Sequence, residues 1–266
     1  MPIEGRGRIA VWEGASLWVL EGARDGGRTD FHAHHAIQIT LALEGEFELK
    51  TEAERLIGPA VAVASDARHI FRARGVAAFL FVEPESPAGR ALAAAAFRDT
   101  ALAALPLAPL AGPMAALTAW FRRDDDEAEM IRHGRALIAA LAEPGAAPPA
   151  DDRVAAMLAY VADGIDGALS LPEAAGAACL SPSRARHLFA AQTGLPFKTF
   201  VLWRRIERAV ALYAAGATLT DAAHEAGFAD SAHLSRTFRR TFGLPAAALQ
   251  VNDRFTPSGE ARNVAS

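Results

Sequence analysis

Apolar positions change period along the chain. Between residues 8 and 82 they fall in short β-prone runs at 9–12, 17–20, 37–41, 47–49, 61–63 and 79–82. Glycine turns such as Asp25-Gly26-Gly27 and Glu44-Gly45-Glu46 separate several of them. Many short strands at close spacing predict a small β-barrel or sandwich. From Pro87 to Leu141 the period becomes helical, over 88–105, 111–122 and 127–141, the last two split by the acidic run Asp124-Asp125-Asp126-Glu127. Acidic residues suit a helix entrance, where the dipole favours negative charge. Leu92, Phe97, Leu102 and Leu105 supply an apolar seam that either pairs two subunits or packs on the barrel.

Residues 143–150, rich in Pro, Gly and Ala and without periodicity, read as a linker. Asp151 or Asp152 then caps a helix through about Ile165. The stretch after that helix is built twice. The first copy runs through Leu171-Pro172-Glu173-Ala174-Ala175, a turn at Cys179-Leu180, a basic helix from Ser181-Pro182 and a stop at Gly194. The second runs through Leu219-Thr220-Asp221-Ala222-Ala223, a turn at Gly227-Phe228, a basic helix from Asp230-Ser231 and a stop at Gly243. Ser170 with Glu173, and Thr218 with Asp221, have capping-box spacing. A short apolar helix, a tight turn and a capped basic helix make the helix-turn-helix pattern. Residues 197–212 read as one amphipathic helix joining the copies and fixing their spacing. A small buried side chain is the reading for Cys179, in a turn where the second copy has glycine.

Charge sharpens the division. Residues 1–150 carry 15 basic and 20 acidic side chains, whereas residues 181–241 carry nine basic and four acidic. That local excess is what phosphate contact requires. One cysteine excludes an intramolecular disulfide framework. Neither a signal pattern nor an apolar run long enough to span a bilayer is evident, so a cytoplasmic protein with no membrane partner is expected.

One constellation in the first half carries chemistry: Gly26, His32, His34, Gln38 and Gly45, then Gly58 and His69. It resembles the cupin pattern G-x5-H-x-H-x3-E-x6-G, with Gln38 where the family usually has Glu and a degraded second segment. Histidines at i and i+2 on a strand share a face, so His32 and His34 can converge with His69, while His35 faces away and is expected to be exposed. Three imidazoles and the Gln38 amide form a metal or effector pocket, with zinc, nickel, cobalt or iron as the suitable ions.

Residues 151–250 resemble the AraC/XylS class of transcription regulators, most specifically over residues 222–243. The resemblance implies an α+β chain: a cupin-like sensor barrel (1–86), a helical segment able to dimerise (87–142), the linker (143–150), a double helix-turn-helix domain (151–250) and a loose tail (251–266). It implies Ser183, Arg184, Arg186 and His187 on the first recognition helix, and Ser231, Ala232, His233 and Arg236 on the second, as DNA-facing residues. Arg186 and Arg236 are the candidates for reading guanine, and Arg239 and Arg240 for holding phosphate. Implied partners are double-stranded DNA, a small-molecule or ion effector, RNA polymerase and a second copy of the chain. The implied role is that of a non-enzymatic regulator of the activator type. The competing reading is a metal-dependent cupin enzyme, an oxygenase or isomerase, fused to a DNA-binding domain. Proline at 245, one position early, and Gln250 in place of a basic residue depart from the family ending.

Overall fold

The computed structural model describes residues 7–22, 27–97, 100–123, 126–142 and 149–246. The turn residues Asp25 and Gly26, the linker apart from Pro149 and Ala150, and the tail with Gln250 lie outside them. Strands β1 (Gly7–Trp12), β2 (Ala15–Glu21), β3 (Gly27–Arg28), β4 (Ile37–Lys50), β5 (Arg55–Ile57), β6 (Ala60–Val63), β7 (Ile70–Val82) and β8 (Leu102–Ala104) form one antiparallel sheet. Its main order is β1-β2-β7-β4-β6-β8, with β3 added to β7 and β5 to β4. The sheet together with the C-terminal helices makes the chain α+β.

Two expectations change here. Glu44-Gly45-Glu46 is no hairpin turn: β4 runs straight through it, opposite β7. Gly45 and Gly75 face each other, with φ of +77° and +89°. A Cβ on Gly45 would sit 2.2 Å from the Arg74 carbonyl oxygen, and one on Gly75 would sit 2.4 Å from that of Glu44. The register shift between Ala42 and Glu44 makes this a bulge that bends both long strands. Helix also fails to span 88–105. Helix α1 (Pro87–Ala96), capped by the Ser86 hydroxyl, ends there, and β8 then pairs with β6, carrying the sheet past residue 86. Leu92, Phe97 and Leu105 pack on the main core and Leu102 inside the bend, so the apolar seam is turned inward.

Alternation along the strands sorts side chains to two different layers. Leu17, Val19, Ile39, Ala78 and Leu80 face Leu117, Trp120 and Leu137 of helices α2 (Ala111–Arg123) and α3 (Glu127–Leu141). Ile9, Trp18 and Phe81, on the other face, pack against the C-terminal helices. Both faces are therefore dry, which is why these strands read as nearly continuous apolar runs.

The C-terminal unit contains α4 (Asp152–Asp163), α5 (Leu171–Ala177), α6 (Pro182–Thr193), α7 (Phe197–Ala214), α8 (Leu219–Glu225) and α9 (Ser231–Phe242). Asp151, Ser170, Ser181, Thr218 and Asp230 cap α4, α5, α6, α8 and α9, and Gly194 and Gly243 end α6 and α9 in left-handed conformations. Its first half closes on its own core around Met157, Phe189 and Phe200. The second half shares its core with the sheet: Trp203, Phe238 and Phe242 pack with Trp18 and Phe81. Cys179 has φ of +54° and an exposed side chain, not a buried one. The left-handed turn that glycine serves at Gly227 (φ +77°) turns its Cβ outward here.

Where α9 ends, the two halves meet backbone to backbone. The Asp30 N–H donates to the Gly243 carbonyl at 2.7 Å, and a Cβ on Gly243 would lie 2.4 Å from the Asp30 oxygen and 2.6 Å from His32 Nδ1. Gly243→Ala is therefore expected to undock the halves while each keeps its own core. Thermal unfolding followed by tryptophan fluorescence should change from one transition to two; an unchanged melt would show that the contact has slack.

Candidate effector site and nucleic-acid interface

His32 and His69 are brought together by an isolated antiparallel bridge, His32 N–H to His69 C=O at 3.0 Å and the reverse at 2.8 Å. His34 joins them from the segment before β4. The three rings lie 4.3–5.7 Å apart, and one nitrogen from each falls within 4.8 Å of the others. All three are buried.

Hydrogen bonding fixes their tautomers. Nδ1–H of His32 donates to the Asp30 carbonyl at 2.8 Å, that of His34 to Ala36 at 2.9 Å, and that of His69 to Ala67 at 2.9 Å. A carbonyl only accepts, so Nδ1 carries the proton and Nε2 keeps its lone pair. Burial, helped by the neighbouring His34, lowers His32 to about 3; the same burial, with His34 and His32 beside it, lowers His69 to about 2. Burial also lowers His34 against the pull of its hydrogen bonds. The Gln38 side chain lies 2.9 Å from His34 Nε2 and 2.8 Å from Thr40 Oγ1. A neutral His34 requires the amide NH2 toward Nε2 and the amide oxygen toward the Thr40 hydroxyl. His69 Nε2 is buried with no hydrogen-bond partner among the described residues. Convergent Nε2 lone pairs, backed by carbonyls at Nδ1, are a donor set that fits a borderline divalent ion.

Beside the triad, a cavity of about 90 Å³ is walled by Trp18, Phe71, Phe79 and Phe81, with His32 and Gln38 as polar groups. Phe242 and Leu244 close it from the C-terminal half. The Asp30 that orients His32 also holds α9: its carboxylate accepts from Arg239 Nε at 3.2 Å and Nη2 at 2.9 Å.

His35 departs from expectation. It is buried, with Nδ1 3.2 Å from Asp66 and Nε2 2.5 Å from Glu85. Burial opposes its charge, but hydrogen bonds and attraction from Asp66 and Glu85 outweigh it and raise His35 to about 9. Its ring also meets Phe200 and Trp203 of α7. The partners lie 31 and 50 residues away in sequence, so no local pattern announces them.

On the opposite side of the C-terminal unit, Ser183, Arg184, Arg186 and His187 are exposed on the first two turns of α6. Ala232 and Arg236 are exposed on α9, with Ser231 and His233 half-buried beside them. Docking leaves these side chains outward. Arg240 is exposed, whereas Arg239 is paired with Asp30.

Residues 174–251 match a family model described as a helix-turn-helix domain. The C-terminal unit therefore contains a helix-turn-helix domain. Over the whole chain, the structure is similar to that of ToxT from Vibrio cholerae O395, at 11% identity, covering 88% of this chain and 95% of that one, with a TM-score of 0.56. It is also similar to unsaturated fatty acid-bound wild-type ToxT from Vibrio cholerae strain SCE256, at 12% identity, the same coverages and a TM-score of 0.53. A third structure, ToxT from Vibrio cholerae O395 bound to (E)-4-(8-methylnaphthalen-1-yl)but-3-enoic acid, is 9% identical over 91% of this chain and 97% of that one, with a TM-score of 0.56. At these identities the likeness shows a common fold: a β-sheet domain followed by the helical C-terminal unit. None of the curated proteins matches the sequence.

Because the barrel and the helix-turn-helix domain meet at His35, its loss has a defined cost. His35→Ala leaves the Glu85 carboxylate, whose side chain is 9% exposed, without its partner. Chemical denaturation should show a loss of about 3–5 kcal/mol, the penalty for breaking a buried ion pair from one side. A loss below about 1 kcal/mol would assign Glu85 to water instead.

Proposed function

We propose that the chain is a sequence-specific DNA-binding transcription regulator whose barrel senses a divalent transition metal. The observation that carries the DNA-binding part is the pair of capped, outward-facing recognition helices on one rigid α7. In this reading Ser183, Arg184, Arg186 and His187 enter one major groove and Ser231, Ala232, His233 and Arg236 the next, roughly 34 Å along the duplex. Arg186 and Arg236 read guanine edges, while Arg240 holds phosphate; Arg239 reaches phosphate only once it leaves Asp30. A homodimer on two half-sites and contact with RNA polymerase belong to the same reading. Among the described residues no helix is long and apolar enough to cross a membrane.

The sensing part rests on three neutral imidazoles with convergent lone pairs, one of them without a partner. His32, His34 and His69 would hold the ion through Nε2 once the Gln38 amide gives up its hydrogen bond to His34 and turns its oxygen inward as a weak fourth donor. Such an ion would cross-link two chain segments, the one that carries His32 and His34 and the one that carries His69. The protein's own residues carry the signal: a shift of His32 moves the Asp30 carbonyl, and Asp30 holds both Gly243 and Arg239. Metal changes DNA affinity as far as it favours the docked or undocked arrangement.

A small organic effector is the second reading, favoured by the aromatic cavity that shares His32 and Gln38 with the triad. Two of the similar ToxT structures are described as bound to organic acids. Catalysis has no part in either reading.

Two measurements test this. Purified protein from cells grown with mixed transition metals should hold about one equivalent of metal, lost in a His32→Ala, His34→Ala double variant; metal in neither would leave the organic effector. Arg236→Ala should weaken operator binding by about 1–3 kcal/mol and relax specificity at one base pair. Equal loss on every sequence would make Arg236 a phosphate contact.

A further inference from the structure

A second cleft, of about 390 Å³, lies between the β1–β2 hairpin and α7. It is separate from the triad, and the metal and effector readings do not use it. Trp12, Trp18, Phe81 and Trp203 give it an aromatic wall, and Glu83, Arg204 and Glu207 its polar end. Two polar atoms there lack hydrogen-bond partners among the described residues. Trp203 is 5% exposed, and its Nε1–H has no acceptor. Glu207 Oε2 is sealed from solvent and lies 2.9 Å from Arg204 Nη1, off the line of an N–H donor. Trp203 and Glu207, one helical turn apart, present a donor and a carboxylate on one face of α7.

Charge around Glu207 does not balance. Arg204 is shared between Glu83 and Glu207, and His35 is held by Glu85 and Asp66. Four carboxylates, Glu83, Glu207, Glu85 and Asp66, thus share the two cations Arg204 and His35. Arg208 also borders the cleft, but it is paired with Asp166 at 2.8 Å and donates to the Glu225 carbonyl. Burial and the nearby Glu83 push the Glu207 carboxyl well above its usual range against the pull of Arg204, the mark of a carboxylate short of a partner.

We propose that this cleft binds a small aromatic amine that also carries a hydrogen-bond acceptor. The ammonium pairs with Glu207 and supplies the missing charge. The acceptor takes the Trp203 N–H, and the aromatic group lies among Trp12, Trp18 and Phe81, which also favour a nearby cation. Because the hairpin belongs to the barrel and α7 to the DNA-binding domain, the bound amine bridges the two.

Tryptophan fluorescence of the full chain tests this with 2-amino-1-phenylethanol as probe. Saturable binding is expected, about tenfold or more tighter than for 1-phenylethane-1,2-diol, which lacks the ammonium, and measurably tighter than for 2-phenylethylamine, which lacks the acceptor. Glu207→Gln should weaken the amino alcohol about tenfold and leave the diol unchanged. Trp203→Phe, which keeps the wall and drops the N–H, should bring the amino alcohol down to the level of 2-phenylethylamine and remains informative if Glu207→Gln does not fold. A His69→Ala variant, which spares the packing of His34 on Phe81 and Trp203, should bind the probe as wild type does, so failure of the metal reading leaves this result standing. Absence of saturable binding, equal affinity for amino alcohol and diol, or an unaffected Glu207→Gln protein would each overturn the proposal.

Discussion

Everything in this molecule depends on how the end of α9 is seated. Phe242 enters a ring cluster with Trp18, Phe81 and Phe238, at centroid distances of 4.7–5.6 Å. One residue later the chain turns left-handed at Gly243 and touches the barrel backbone. Burying Phe242 contributes about 1.5–3 kcal/mol, but the glycine makes the contact specific, because no side chain fits between it and Asp30. The helix that carries the DNA-facing residues is thereby held at its far end by the segment that orients His32. A rigid helix transmits a shift at one end to the other.

How much of this could be read from the sequence depends on the range of each signal. The two helix-turn-helix units were legible because capping boxes, proline at the first helical turn and terminal glycines act within a few residues. The triad was legible too, since i and i+2 on an extended chain share a face and the cupin spacing supplied the third histidine. Gly45 misled because glycine with positive φ serves a bulge as readily as a turn. What decides between them is Gly75 across the sheet, 30 residues away. Residues 102–104 were read as helix because alanine and leucine favour it locally, yet pairing with β6 prevails over propensity. The ion cluster at the interface had no local signature, since its members come from four separate segments, at 35, 66, 83–85 and 204–207.

Docking also explains the uneven polarity of the interface. A purely apolar seam between sheet and helices would be nearly irreversible. Here the rings around Trp18 and Phe242 are bordered by Arg204 with Glu83 and by Arg239 with Asp30, the second pair more than half exposed. Exposed pairs contribute little and respond to salt, whereas the buried one is costly to leave half-made. The arrangement is stable when complete and loses several contacts together when the halves part. Arg239 shows the consequence most directly, since the guanidinium expected to hold phosphate is the one that Asp30 occupies.

His34 and His35 show how far one peptide step can separate two chemistries. Alternation turns His34 inward, where the Ala36 carbonyl and burial keep it neutral, with its Nε2 lone pair toward the Gln38 amide. His35, the next residue, meets two carboxylates and is held as a cation, the form in which it clamps. Both rings lie near Trp203 of α7, at 6.4 and 6.2 Å. One side chain of α7 therefore touches both His34 and His35. A change in the orientation of either ring must be accommodated by α7, to which both recognition helices are packed. The coupling of barrel to DNA-binding domain thus needs no long relay: the two sites share a neighbour.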